Sequence, residues 1–121
     1  VFGRIQSLRD SMVSVEILKV KDEKRSVGNY TVGTLHIAKM SSEYVSDIKK
    51  LYQINDLIQA TVIKASPAIE LTTNSDKDGV VFARCGITHD VLKLVDGELW
   101  SEELRGRVTR KISSKYGKVQ V

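Results

Sequence analysis

Between residues 2 and 73, apolar side chains recur at every second position in short runs, which commits this part of the chain to small strands. The clearest run is Val13, Val15 and Ile17, alternating with Ser14, Glu16 and Leu18. Phe2–Leu8 alternates less regularly and begins beside Gly3. Thr31–Ile37 is interrupted by Gly33, and an isolated glycine in a strand marks a bulge or the close approach of another segment. Asp56–Lys64 and Ile69–Thr73 supply two more strands, with Pro67, the only proline, in the turn between them. One stretch departs from the period of two. Tyr44, Val45, Ile48 and Leu51 share a face at helical spacing, and Ser41 or Ser42 can cap its start, so Ser42–Leu51 predicts a short helix or helical turn. Three strands, a helical linker and two strands is the order of the five-stranded OB barrel, a partly open Greek-key barrel that often binds nucleic acid.

Thr73–Gly79 is polar and turn-rich, and it divides the chain into a barrel over 1–74 and a second unit over 79–121. The second unit reads as all-β: Val80–Arg84, Val91–Val95, an Asp96-Gly97 turn, Glu98–Trp100 and a last strand over Val108–Ile112. Asp-Gly between apolar runs is a hairpin signal. A segment of about 40 residues has too small a core to stand alone. It needs a metal, or docking on the barrel or a partner.

Ordinary globular composition, 41% hydrophobic and 28% charged, argues against disorder. There is no apolar run of about 18–20 residues and no basic-then-apolar leader, so neither a membrane span nor a secretion signal is expected. The chain opens at Val1 inside a strand-like run, which points to a domain upstream. A single cysteine, Cys85, cannot form an internal disulfide and suits a reducing, cytoplasmic setting. The net charge of +4 is compatible with a polyanionic partner without requiring one. It is also evenly divided: residues 1–74 carry 10 Lys/Arg and 8 Asp/Glu, and residues 75–121 carry 9 and 7. The local run after Glu103 is more informative. Arg105, Arg107, Arg110, Lys111, Lys115 and Lys118 follow with no further acid, forming a basic tail. The charged stretch Lys19–Asn29, with Lys21, Lys24 and Arg25 among Asp22 and Glu23, reads as a long solvated loop.

Catalytic sets are not evident. Cys85 and His89 have no orienting third residue. Glu102 and Glu103 are adjacent, and neighbours on a strand point to opposite faces. There is no phosphate-cradling glycine loop and no His-Glu-x-x-His. The chain is read as a non-enzyme.

Several motifs together carry a family resemblance. Gly3-Arg4-Ile5, Arg9-Asp10-Ser11-Met12 before Val15-Glu16-Ile17, Gly33-Thr34-Leu35-His36-Ile37 and Tyr44-Val45-Ser46-Asp47 are similar to the RNA-binding barrel of ribosomal protein S-one. Asp78-Gly79-Val80-Val81-Phe82-Ala83-Arg84-Cys85, then Gly106, Arg110-Lys111-Ile112-Ser113 and Tyr116-Gly117, resemble the start and end of a zinc ribbon. In this order they resemble the archaeal exosome cap subunits of the Csl-four type, across nearly the whole chain. The resemblance implies a five-stranded S-one type OB barrel followed by a small three-stranded, zinc-ribbon-like β domain. It implies a cap on a ring that degrades RNA from the 3′ end by phosphorolysis, where the barrel near the pore holds incoming single-stranded RNA. It also implies contacts with the ring, the other cap subunits and a primase-like protein, and an amino-terminal docking domain missing here.

The chain departs from that family in its ribbon. The family has two Cys-x-x-Cys pairs. Here the first corresponds to Cys85 and Thr88, and the second to Glu102 and Arg105, so three of four ligands are gone. Tetrahedral zinc needs four Cys, His or carboxylate donors. His89, Asp90 and Glu102 are the donors left for any rebuilt site, and the expectation is a ribbon that kept its fold, lost its metal and retains Cys85 as a relict. Trp100, Val81, Leu92 and Leu94 would then replace the metal as an apolar staple. No cofactor is expected.

The expected RNA face carries Phe2, Arg4, Arg9, Ser14, His36, Lys39 and Lys64. OB barrels combine stacking rings with a basic groove. The family's second-strand aromatic corresponds to Ser14, which leaves Phe2 and His36 as the nearest platforms. Arg105, Arg107, Arg110 and Lys111 are candidates for contact with RNA or an acidic partner. Two alternatives stand beside RNA binding. One is a protein–protein scaffold in the same assembly with negligible RNA affinity, and the other is a translation or RNA polymerase subunit built on the same barrel.

Overall fold

Strand-forming runs become strands almost wherever the period of two is intact. In this computed structural model, which describes residues 1–19, 31–65 and 67–118, β1 is Phe2–Leu8, β2 is Met12–Lys19 and β3 is Val32–His36. They form an antiparallel meander. The expected loop 19–29 lies, beyond Lys19, outside the described residues.

The expected strand Asp56–Lys64 is two strands, β4 (Leu57–Gln59) and β5 (Thr61–Lys64), parted at Ala60. β4 pairs with β1, whereas β5 pairs with β6 (Ile69–Thr72). β6 in turn runs parallel to β3. One bent segment therefore joins both ends of the order β5-β6-β3-β2-β1-β4, which closes the sheet on itself. Counting the bent segment once gives the five strands of an OB barrel. Ile5, Val13, Val15, Leu35, Ile58 and Leu71 fill it, each at most 1% exposed. The Gly33 signal has a concrete cause: a Cβ there would sit 2.9 Å from Leu71 Cδ1.

The helix expected over Ser42–Leu51 shrinks to one 3₁₀ turn, Ile48–Lys50. The Ser41 hydroxyl accepts from the Glu43 amide at 3.2 Å, and the Asp47 carboxylate caps the turn through the Lys49 amide at 3.0 Å. Such local side-chain bonds compete with helix formation. Ile48 is buried as the helical face requires, but Tyr44 is 92% exposed.

After the polar segment at 73–79, β7 (Gly79–Phe82) adds to the barrel's sheet beside β4. A second sheet follows, of β8 (Lys93–Val95), β9 (Glu98–Ser101) and β10 (Gly106–Val108) in the order β10-β9-β8. Asp96 and Gly97 take φ of 51° and 79°, the two positive angles of a type I′ hairpin, so that turn forms as the dipeptide dictates. The last strand expected over Val108–Ile112 is displaced. β10 ends at Val108, and Ile112 instead forms a parallel bridge to Val80.

One apolar core runs through both sheets, joining Ile58 and Leu71 of the barrel to Leu99 of the small sheet and to Leu92 just before it. The carboxy-terminal segment clamps them together. Val80 donates to the Lys111 carbonyl at 2.7 Å, Ser113 to Val80 at 3.0 Å, and the Tyr116 hydroxyl to the Leu92 carbonyl at 2.6 Å. No helix among the described residues is long and apolar enough to cross a membrane.

Candidate nucleic-acid interface

Strand alternation sends one set of side chains into the barrel and the other onto the outer face of β1, β2, β3 and β6. The ladder registers define rows across that face. Ser14 lies opposite Ser7 and Thr34, and Thr34 lies opposite Glu70. His36 lies opposite Met12. Arg4 lies opposite Glu16, and its guanidinium bonds the Glu16 carboxylate at 2.8 Å. His36, Lys39, Thr34, Met12, Ile63 and Glu70 surround one shallow hollow of about 280 Å³. Two of the expected RNA-face residues thus meet at a single depression. His36 is exposed, and its Nδ1 accepts from the Ala38 amide at 3.2 Å. That bond occupies Nδ1 and leaves Nε2 for a ligand.

The remaining expected residues are dispersed. Lys64 is exposed and lies opposite Glu70 in the ladder. Arg9 is exposed in the β1–β2 turn. Ser14 is half-buried. Phe2 is 6% exposed, so its ring is spent on the interior and is not a platform for a base. Tyr44, placed by helical spacing on a packed face, is the most exposed large apolar side chain among the described residues. Its exposure depends on the helix failing to form, and periodicity gave no sign of that.

The basic tail is divided: Arg105, Arg107 and Lys118 are exposed, whereas Arg110 and Lys111 are drawn inward. The Arg110 guanidinium is 4% exposed and bonds the Asp56 carboxylate, itself 2% exposed, at 2.7 Å. Burial pushes the Asp56 carboxyl up, against the pull of Arg110 and the Gln53 amide. The Lys111 ammonium donates to the carbonyls of Ser75 and Asp78, each at 2.9 Å, and burial pushes its pKa down. Arg107 pairs with Glu98 at 2.7 Å, and Arg105 is exposed at φ 56°. Arg110 and Lys111 are therefore staples between segments and not a surface for a partner.

The ribbon-like unit contains two matching knuckles. In the first, the Cys85 carbonyl accepts from His89 at 2.9 Å, and His89 takes φ 64°. In the second, the Ser101 carbonyl accepts from Arg105 at 2.9 Å, and Arg105 takes φ 56°. The matching pairs are Cys85 with Thr88 and Ser101 with Leu104, one residue earlier than the Glu102 and Arg105 expected from the resemblance. One thiol, two hydroxyls and a leucine are not a zinc donor set. A carboxylate takes the hub instead. Asp90 accepts from the hydroxyls of Thr88 and of Ser101 (2.8 Å for the latter) and from the Glu102 amide at 3.1 Å. Those hydroxyls hold its pKa down. Asp90 is thereby withdrawn from any rebuilt site with His89. The Thr88 hydroxyl, then the amides of Thr88 and Ile87, hold the Cys85 thiol down at about 7. In the expected apolar staple, Val81 and Leu92 are buried, Trp100 is half-buried and Leu94 is 48% exposed. Leu99, the partner of Leu94 across the β8–β9 ladder, is fully buried and fills the core where Leu94 was expected to.

No protein-family model matches the chain. The chain is similar to the exosome complex component Csl4 of Archaeoglobus fulgidus, with 32% identity over 119 residues. The match covers 98% of this chain and 65% of the relative's own length.

Proposed function

The chain is a Csl4-type homologue over 98% of its length, and from that premise we propose that it is a non-catalytic subunit holding single-stranded RNA on the outer face of its barrel. In this reading it sits in the cytoplasm on a 3′–5′ phosphorolytic ring beside other cap subunits, and routes RNA toward the ring. The observation that carries the RNA part is the hollow where exposed His36 and Lys39 meet the hydroxyl-bearing row of Ser14 and Thr34. A cation there meets a phosphate, an imidazole stacks on a base or bonds a phosphate, and hydroxyls reach sugar and phosphate oxygens. Glu16 and Glu70 on the same face keep its positive potential modest, which favours weak, sequence-tolerant binding. Several copies around one pore would raise the effective concentration without new contacts. The test is His36→Ala combined with Lys39→Glu. Loss of single-strand affinity by about tenfold or more supports this face, and unchanged affinity removes it.

A further inference from the structure

The outer face of the barrel does not end at β1. The registers place Glu16, Arg4, Leu57 and Phe82 in one row, running from β2 through β1 and β4 to β7. Strands lie about 4.8 Å apart, so Phe82 stands only about 10 Å from Arg4 along this row. Here the face deepens into a cleft of about 520 Å³ between the barrel and the first knuckle, lined by Arg4, Ile54, Leu57, Phe82, Arg84 and His89 among others. That size belongs to small-ligand sites.

Its chemistry is two-sided. The Phe82 ring is half-buried, and the Arg84 guanidinium lies over it, 5.8 Å from the ring centre. Arg84 is steadied by a bond from Nη1 to the His89 carbonyl at 3.1 Å. Ile54, 55% exposed, extends the apolar surface. Arg4 lines the cleft with its side chain 46% exposed, one nitrogen bonded to Glu16 at 2.8 Å and the other donors of its guanidinium left for a ligand. The one buried carboxylate in the wall, Asp56, is already spent on Arg110. An aromatic ring and a guanidinium plane take a flat base, and two guanidiniums take the phosphate beside it.

We propose that this cleft binds one nucleotide of single-stranded RNA, its base against Phe82 and Arg84 and its phosphate between Arg84 and Arg4. The strand thus continues from the β2–β3 face across β1 onto β7. The proposal rests on the RNA reading above and extends its track beyond the barrel, to where the ribbon-like unit begins.

The test is fluorescence anisotropy of a labelled single-stranded RNA of about 20 nucleotides against this chain, at about 50 and 200 mM salt. Four variants are compared with wild type: Arg84→Gln, Phe82→Leu, Lys39→Gln and the charge-matched Arg107→Gln, which lies on the small sheet. Arg84→Gln should weaken binding about fivefold or more and flatten the salt slope by about 0.7, one single-strand phosphate contact. Phe82→Leu should weaken binding about fivefold or more with the slope unchanged, because stacking carries no counterion term. Arg107→Gln should match wild type. If Lys39→Gln weakens binding while Arg84→Gln does not, the cleft is excluded and the barrel-face reading stands. If wild type itself does not bind, both fall. Because Arg84 is exposed, its variant decides the matter even where Phe82→Leu perturbs packing.

Discussion

Replacing Asp56 by Asn should be strongly destabilising although the change is isosteric. The Asp56–Arg110 pair is 2.7 Å long, with side chains 2% and 4% exposed, and it ties the segment before β4 to the strand-like tail that follows β10. Burial pushes the Asp56 carboxyl up despite its cationic neighbour, so the intact pair contributes little net stability. Orphaning one partner is a different matter. A guanidinium left buried without its anion costs about 3–5 kcal/mol. At about 4 °C per kcal/mol for a chain of this size, the melting temperature should fall by about 12–20 °C. Asp56→Asn keeps an oxygen for the Gln53 amide, now bonded at 2.9 Å, so the loss reports the charge. Adding Arg110→Met removes the stranded charge and should recover at least half of the loss. Circular dichroism melts of the two single variants and the double variant measure the coupling, with Trp100 fluorescence as a second probe. A fall below about 4 °C for Asp56→Asn, or a double variant no more stable than that single, would refute the reasoning.

Other consequences are equally direct. Gly79 takes φ 130°, and a Cβ there would meet the Lys111 carbonyl oxygen. Gly79→Ala should therefore cost about 3 kcal/mol or more in chemical denaturation, whereas Gly86→Ala, with open space around it, should cost under about 1 kcal/mol. The Cys85 thiol titrates at about 7 when folded against 9.0 in an unconstrained chain, so its contribution is complete above 9.0 and lost as pH falls through about 7. Stability should rise between those limits, and Cys85→Ser should flatten the rise. Asp90 stands where a metal would join the knuckles, so dialysis against a chelator should leave the melting curve unchanged, while Asp90→Ala should broaden the Trp100 fluorescence transition.

The barrel was legible because its signal is local. Val13, Val15 and Ile17 are at most 5% exposed, as alternation requires, and Asp96-Gly97 makes its turn without tertiary help. The bend at Ala60 was not legible, because β4 and β5 read as one continuous apolar run whose halves choose different partners. The tail misled for a related reason. A run of cations looks like a surface until Asp56, 54 residues away, and the carbonyls of Ser75 and Asp78 are known to receive Arg110 and Lys111. The second knuckle was off by one residue because no thiol survives to mark it. Ser101, one atom away from cysteine, was the available signal. Phe82 and Arg84 carry no local signal of a site beyond their motif, since the stack between them depends on β7 joining the barrel.

The central claim is that the barrel's outer face holds single-stranded RNA. Its most direct test is titration of this chain with a fluorescent single strand of about 20 nucleotides at two salt concentrations, with a blunt DNA duplex as control. The account predicts saturable binding that prefers the single strand and weakens as salt rises. Absence of binding at about tens of micromolar, even at the lower salt concentration, would contradict it and turn the face over to a protein partner.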